Sequence, residues 1–151
     1  MRNIIIKARL VLKQNNKILL LAQTSENGGK FTLPGGTVEE EEFTKETLIR
    51  ECKEELGIQL ASDDLTLIHV LHKKKGLENR ITVYFTAQDY RGVLQAKETE
   101  KFRGIAWAAI DRLPAKASAT VKHVLHQIKI GEGYSQFSKK LPKKGVKKWD
   151  W

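Results

Sequence analysis

Residues 36–58 read GTVEEEEFTKETLIRECKEELGI, and eight of them are glutamates. The stretch divides into a short acidic loop and a helix expected from Phe43 or Thr44 to Leu56. Leu48, Cys52 and Leu56 repeat at i, i+4 and i+8 with Ile49 beside them, which marks a core-facing stripe. Glu51, Glu54 and Glu55 stand at i, i+3 and i+4, on a face adjacent to that stripe. Like charges so placed repel and destabilise an isolated helix. A divalent cation turns the repulsion into attraction, and hard oxygen ligands suit Mg2+ or Mn2+. Gly57 is the residue that ends the helix, and Arg50 lies within i, i+4 reach of Glu54 and Glu46. A bare run of glutamates is ordinarily a solvated helix face, so the flanking chain has to say whether this one is a site.

Upstream, residues 3–13 alternate as one strand, with Ile4, Ile6, Ala8, Leu10 and Leu12 on one face and Ile5, Lys7, Arg9 and Val11 on the other. Asn15-Asn16 predicts a turn, after which Ile18–Leu21 returns as the partner strand. Lys17–Ala22 is nearly all apolar, as a strand buried on both faces would be. A loop over 23–30 leads to a short strand around Phe31, stopped by Pro34. Pro34-Gly35-Gly36 then frees the backbone for close approach to a ligand.

Downstream, Leu65–Leu71 and Arg80–Gln88 predict a hairpin whose tip is the basic turn Lys73-Lys74-Lys75-Gly76. A charged loop over 91–104 holds Glu98 and Glu100. A last strand carries Trp107, and Ser118 caps a final helix that Gly131 stops. About six strands and two helices, with hairpins and sheet connections mixed, indicate an α/β sheet flanked by helices.

The chain has 151 residues, the size of one domain. Its single cysteine, Cys52, allows no internal disulfide and lies on the core stripe, where packing rather than nucleophilic chemistry is expected. Lys7 and Arg9 interrupt the N-terminal apolar residues too early for a signal sequence. No run approaches the roughly 20 apolar residues of a membrane span. A cytoplasmic protein with no membrane partner is the expectation. The net charge is +9, of which +4 falls in residues 131–151, where six lysines are interleaved with Phe137, Trp149 and Trp151. A basic chain with an acidic helix points to an anionic ligand reached through a metal, a polyphosphate or a nucleic acid. Expected domains are 1–131 and a basic tail over 132–151. The tail is read as draped on the surface or bridging a homodimer.

Gly36, Glu42, Arg50, Glu51, Glu54, Glu55 and Gly57, with Ile58 after them, resemble the Nudix box of the Nudix hydrolase family in its MutT-like branch. Cys52 is a small substitute at one hydrophobic position. Leu33-Pro34-Gly35-Gly36 and the Trp107 strand extend the resemblance to residues 4–130. It implies a Nudix-type α/β/α sandwich with a mixed, partly antiparallel central sheet. It also implies Mg2+ (or Mn2+)-dependent cleavage of a nucleoside diphosphate linked to another moiety. Glu51, Glu54 and Glu55 would hold the metal with the Gly36 carbonyl, Arg50 would orient the carboxylates, and Glu42 would brace the loop. A later-loop glutamate completes the site in several members; here that is Glu100, with Glu98 the alternative.

For substrate contacts, Phe31 is best placed to stack on a base and Gly35 offers backbone groups; Arg80 with Lys73–Lys75 are candidates to meet phosphates, although a solvated hairpin tip is the favoured reading of them. The proline and tyrosine that mark ADP-ribose and dinucleoside polyphosphate enzymes past the box are missing. Nucleoside triphosphates, cleaved to monophosphate and pyrophosphate, are therefore the default. Two other readings stay open: an RNA 5′-end pyrophosphohydrolase using the basic tail, and a non-catalytic nucleotide-sensing module. His123 and His126, at i, i+3 without a third ligand, are expected at the solvent surface. His69 and His72 fall on opposite strand faces.

Overall fold

A computed structural model describes residues 3–138. In chain order the elements are β1 (Ile4–Leu10), β2 (Lys13–Gln14), β3 (Lys17–Gln23), β4 (Phe31–Thr32), β5 (Gly35–Thr37), α1 (Thr44–Leu56), β6 (Leu65–Lys75), β7 (Glu78–Ala87), β8 (Phe102–Ala109), α2 (Ala119–Lys129) and β9 (Tyr134–Ser138). One sheet has the order β5-β1-β7-β6-β9, with β1 parallel to β7 and β6 parallel to β9; its remaining pairs are antiparallel. The other is built on β3, which pairs β2, β4 and β8, all antiparallel. The expected mixed α/β architecture is the one observed.

Alternation along β3 explains the layering. Leu19 and Leu21 point into a cluster with Leu48, Cys52 and Leu56 of α1. Ile18 and Leu20 point the other way, into a cluster with Val121, Val124 and Leu125 of α2. A strand buried on both faces needs cover on both, and the two helices supply it. No described helix is long and apolar enough to cross a membrane.

Three boundaries differ from expectation. The strand over 3–13 is split: the Val11 amide bonds Phe85 O in the first sheet, while Leu12 O accepts from Leu19 in the second. Each residue serves a different sheet, so the alternation continues while the pairing changes. The return hairpin does form at Asn15 (φ 50) and Asn16 (φ 62), as a two-residue turn with both φ positive allows. It joins β3 only to Lys13–Gln14, and the length of β3 pairs with β8 instead. The glycine segment is not a loop, because Gly35–Thr37 pairs with Lys7–Arg9 as an edge strand. The three lysines are not a turn either. Lys73–Lys75 pair in register with Glu78–Arg80, and the reversal falls at 76–77.

Residues 134–138, inside the segment read as tail, form the outermost strand of the first sheet, on β6. The Ser135 hydroxyl lies 2.8 Å from His69 Nε2 and 2.9 Å from His123 Nε2, and the His69 Nδ1–H donates to Glu132 O (2.8 Å). His123 is therefore held against β9, stacked on Phe137, and not at the free surface expected for it. Trp149, Trp151 and the six lysines of the tail lie outside the described residues.

Candidate metal and phosphate site

α1 runs from Thr44 to Leu56, as the periodicity predicts, and buries Leu48, Cys52 and Leu56 completely. Its carboxylates therefore stand at the rim of the core. Glu55, 5% exposed, accepts a hydrogen bond from the Gly35 amide (2.8 Å), which ties the helix to β5. Glu51 lies over the same strand. A Cβ on Gly36 would sit 2.5 Å from Glu51 Oε1, so only glycine lets the carboxylate reach that depth. Gly35, at φ 137, has no room either, since a Cβ there would meet Ala8 O at 2.0 Å. The glycine pair of the sequence is thus required twice, once by the strand and once by the carboxylate.

Arg50 organises the acidic loop. Its Nε and one terminal nitrogen donate to both oxygens of Glu42 (2.8 and 2.9 Å), a bidentate fork. The other terminal nitrogen donates to Glu51 (2.9 Å) and lies 3.6 Å from Glu54. Glu42 also accepts from the Glu39 amide and the Thr47 hydroxyl. The hydrogen bonds from Arg50 hold the Glu42 carboxyl down at about 2. The same pairing, led by Glu42, keeps Arg50 firmly charged.

The other two carboxyls move the opposite way. Burial pushes Glu55 up to about 8, with the nearby Glu51 and Glu98 adding to the rise against the Gly35 hydrogen bond and Arg9. Burial also raises Glu51, opposed by Arg50. Buried carboxyls that raise one another are what a cation would relieve. Their hard oxygens fit Mg2+ or Mn2+. As they stand, no three His, Cys, Asp or Glu side chains among the described residues converge on one point. Glu51 and Glu54 lean on Arg50 and would have to turn from it to hold an ion. Glu54, 49% exposed, is the freest.

Both later-loop candidates, Glu98 and Glu100, lie on one turn, and the Glu98 carboxylate pairs with Lys101 (3.2 Å). Glu98 raises both Glu51 and Glu55, whereas the Glu100 carbonyl accepts from Asn27 (3.1 Å) at the far end of β3. The Lys101 and Phe102 amides both bond back to Glu98 O. Phe31 is half-buried under the Arg103 guanidinium, 5.4 Å from its ring centroid. It does not line the neighbouring cavity, although Lys30 and Thr32 on either side do. Arg80 lines that cavity and is ion-paired to Glu78.

Sequence reasoning missed Arg9. Its guanidinium donates to Leu33 O (2.9 Å) and Gly35 O (3.3 Å), fixing the backbone that carries the carboxylate contacts. The polar alternation of Lys7 and Arg9 on the first strand was the available signal.

A model of the NUDIX domain matches residues 5–128. The CTP pyrophosphohydrolase of Escherichia coli (strain K12) is 31% identical over 93 residues, 58% of this chain and 65% of that protein. The chain thus spans just under two thirds of that relative's length. A MutT NUDIX hydrolase from Burkholderia pseudomallei superposes with a TM-score of 0.74 at 26% identity, covering 83% of this chain and 98% of the other. The MutT protein of Methanosarcina mazei Go1 has the same fold at 19% identity, with a TM-score of 0.72 over 85% of this chain and 95% of its own.

Proposed function

The chain belongs to the NUDIX domain family, and from that premise we propose that it is a hydrolase of nucleoside diphosphate derivatives. The observation that carries the reading is the Glu42–Arg50–Glu51 chain of hydrogen bonds seated over Gly36, which pre-positions the acidic groups beside β5. The reaction adds water across a phosphoanhydride: one P–O bond forms, one breaks, and the water's proton goes to a base.

Glu51, Glu54 and Glu55, with the Gly36 carbonyl, would hold Mg2+ or Mn2+, which supplies charge neutralisation on the phosphates and a more acidic water. Arg50 and Glu42 would act as positioning residues, holding Glu51 beside the site until it turns to the ion. On this reading Glu54, the most exposed of the three, would be the carboxylate to accept the water's proton. A later-loop carboxylate would complete the set, Glu100 or Glu98, the latter adding negative charge beside Glu51 and Glu55. Gly35 and Arg80 are the substrate contacts of this reading. Phe31, capped by Arg103, offers its ring only where that arginine moves aside.

Nucleoside triphosphates, cleaved to monophosphate and pyrophosphate, are the first substrates to test. Support comes from the resemblance to a CTP pyrophosphohydrolase. Phosphate or pyrophosphate release is measured over a nucleotide panel with Mg2+, for the full chain and for Glu54→Gln. Equal rates in the two proteins would sink the assignment. The RNA 5′-end reading is tested by removing residues 139–151 rather than 132–151, because β9 is part of the sheet. RNA turnover should then become weaker and less salt-dependent while free nucleotides are unaffected.

A further inference from the structure

A cavity of about 180 Å3 opens on the sheet face turned away from α1, and five cations line it: Lys7, Arg9, Lys30, Lys73 and Arg80. No carboxylate is among the described residues that line it. The sheet register assembles four of the five. Lys7 and Arg9 alternate along β1, away from Ala8 and Leu10, which pack with α1. Parallel pairing sets Lys7 beside Thr82 and Ile5 beside Arg80, and antiparallel pairing sets Lys73 directly opposite Arg80. Like charges opposite one another weaken a strand pair. Thr82, Ser118 and Thr120 add hydroxyls to the lining. Lys73 already donates to Thr120 Oγ1 (2.7 Å), and Ser118 caps the start of α2. Arg80 is paired with Glu78, and Arg9 and Lys73 make hydrogen bonds of their own, yet the described lining carries five cations and no carboxylate, a surface that an anion with several acceptor oxygens would complement.

The cavity is close to the carboxylate site. Arg9 donates to Gly35 O (3.3 Å), and the amide of the same residue donates to Glu55 (2.8 Å). One residue of β5 separates the two, which is within the span of a single substrate. At about 180 Å3 it is smaller than pockets that enclose whole drug-sized ligands, roughly 300–1,000 Å3. It fits a compact group rather than a nucleoside.

We propose that this cavity binds a phosphate monoester, so that the preferred substrate is a small diphosphate compound bearing a second, non-reacting phosphoryl group. A dianionic monoester offers more charge and more acceptor oxygens to the lysines and arginines than a phosphodiester within a polymer does. The substrate claim rests on the hydrolytic reading of residues 36–58; the binding claim does not.

The two are separated by experiment. In the first arm, the metal-free full chain is titrated with inorganic phosphate and backbone amide shifts are followed. Shifts are expected at residues 7–9 and 80–84, with affinity falling at least about tenfold in Lys7→Gln. Arg80→Gln is the second variant, and circular dichroism checks that both are folded. Shifts confined to residues 51–55, or none, would overturn the proposal.

In the second arm, kcat/KM with Mg2+ is compared for a nucleoside 5′-triphosphate with and without a 3′-phosphate. A preference of about tenfold or more for the 3′-phosphorylated compound is expected, falling toward unity in both variants. A ratio of one in the wild type, or faster turnover of triphosphorylated RNA than of either small compound, would overturn it. Phosphate binding without hydrolysis of any diphosphate compound would uphold the anion site and overturn the hydrolytic reading.

Discussion

The two charged regions of this molecule are built on the same principle and differ in how they are encoded. On α1, Glu51, Glu54 and Glu55 crowd like charges beside the core; across the sheet, Lys7, Arg9, Lys73 and Arg80 do the same with the opposite sign. The acidic group comes from five consecutive residues on one helix. The basic group comes from three strands that are neighbours only because β1 runs parallel to β7 and β7 antiparallel to β6. Helical neighbours are fixed by local geometry, strand neighbours by long-range pairing. Local sequence therefore shows the acidic group entire, and shows Lys73 and Arg80 without their meeting with Lys7 and Arg9.

The comparison breaks most visibly at Glu54. Glu54→Gln removes a proton acceptor and a charge from the acidic side, and kcat is expected to fall by about 10²–10⁴-fold, with the melting temperature little changed. Steady-state kinetics on the best substrate of the panel checks this. A fall below tenfold would mean that the half-exposed carboxylate is only a surface charge.

Arg50→Lys keeps the charge and discards the fork to Glu42. Lysine is a point donor and cannot reproduce the paired bonds at 2.8 and 2.9 Å. Activity is expected to fall by about 10–100-fold, the scale for residues that position metal ligands. A titration with Mg2+ should show weaker metal dependence of the rate as well as a lower maximum. Gly36→Ala acts more gently on the same geometry. Its new Cβ would crowd the Glu51 carboxylate, which has to swing away, and about a tenfold loss of kcat follows from a displacement short of the 1 Å scale. Unchanged activity would show that Glu51 need not lie over β5.

How much of this was legible follows from the same contrast. The limits of α1, its buried stripe, the Ser118 cap and the Asn15-Asn16 turn were readable because each depends on neighbours a few residues apart. The exchange of sheets at Val11–Leu12 was not, since alternation of side chains persists whichever strand lies alongside. The turn that returns the Lys101 and Phe102 amides to Glu98 O has no local signature in a charged loop. The role of Ser135, shared by His69 and His123, needed β9 to be placed on β6. Lys73 looked like a hairpin tip because three lysines before a glycine resemble one, yet the long pairing of β6 with β7 draws it into the sheet.

The smallest effect tests the basic region alone. Burial, together with Arg9 and Arg80, lowers the Lys7 ammonium from 10.5 to about 8. Between pH 8 and 10.5 the unfolded chain therefore binds more protons at this residue than the folded one, and stability from Lys7 rises with pH across that window. Below pH 8 the lysine is charged in both states and the destabilisation is fully present. Lys7→Gln should then be more stable than the wild type at pH 7, and the difference should shrink as pH approaches 10.5. The half-exposed side chain is screened by solvent, so the gain is set at about 1 kcal/mol, or ~2–4 °C in Tm. Thermal melts of both proteins over pH 7–10.5 measure it, the difference between them cancelling the other lysines. Saturating phosphate should flatten the wild-type slope, because an anion in the cavity restores the charged form. Parallel wild-type and variant curves would mean that the cations do not oppose one another, and the basic face would lose its resemblance to the acidic one.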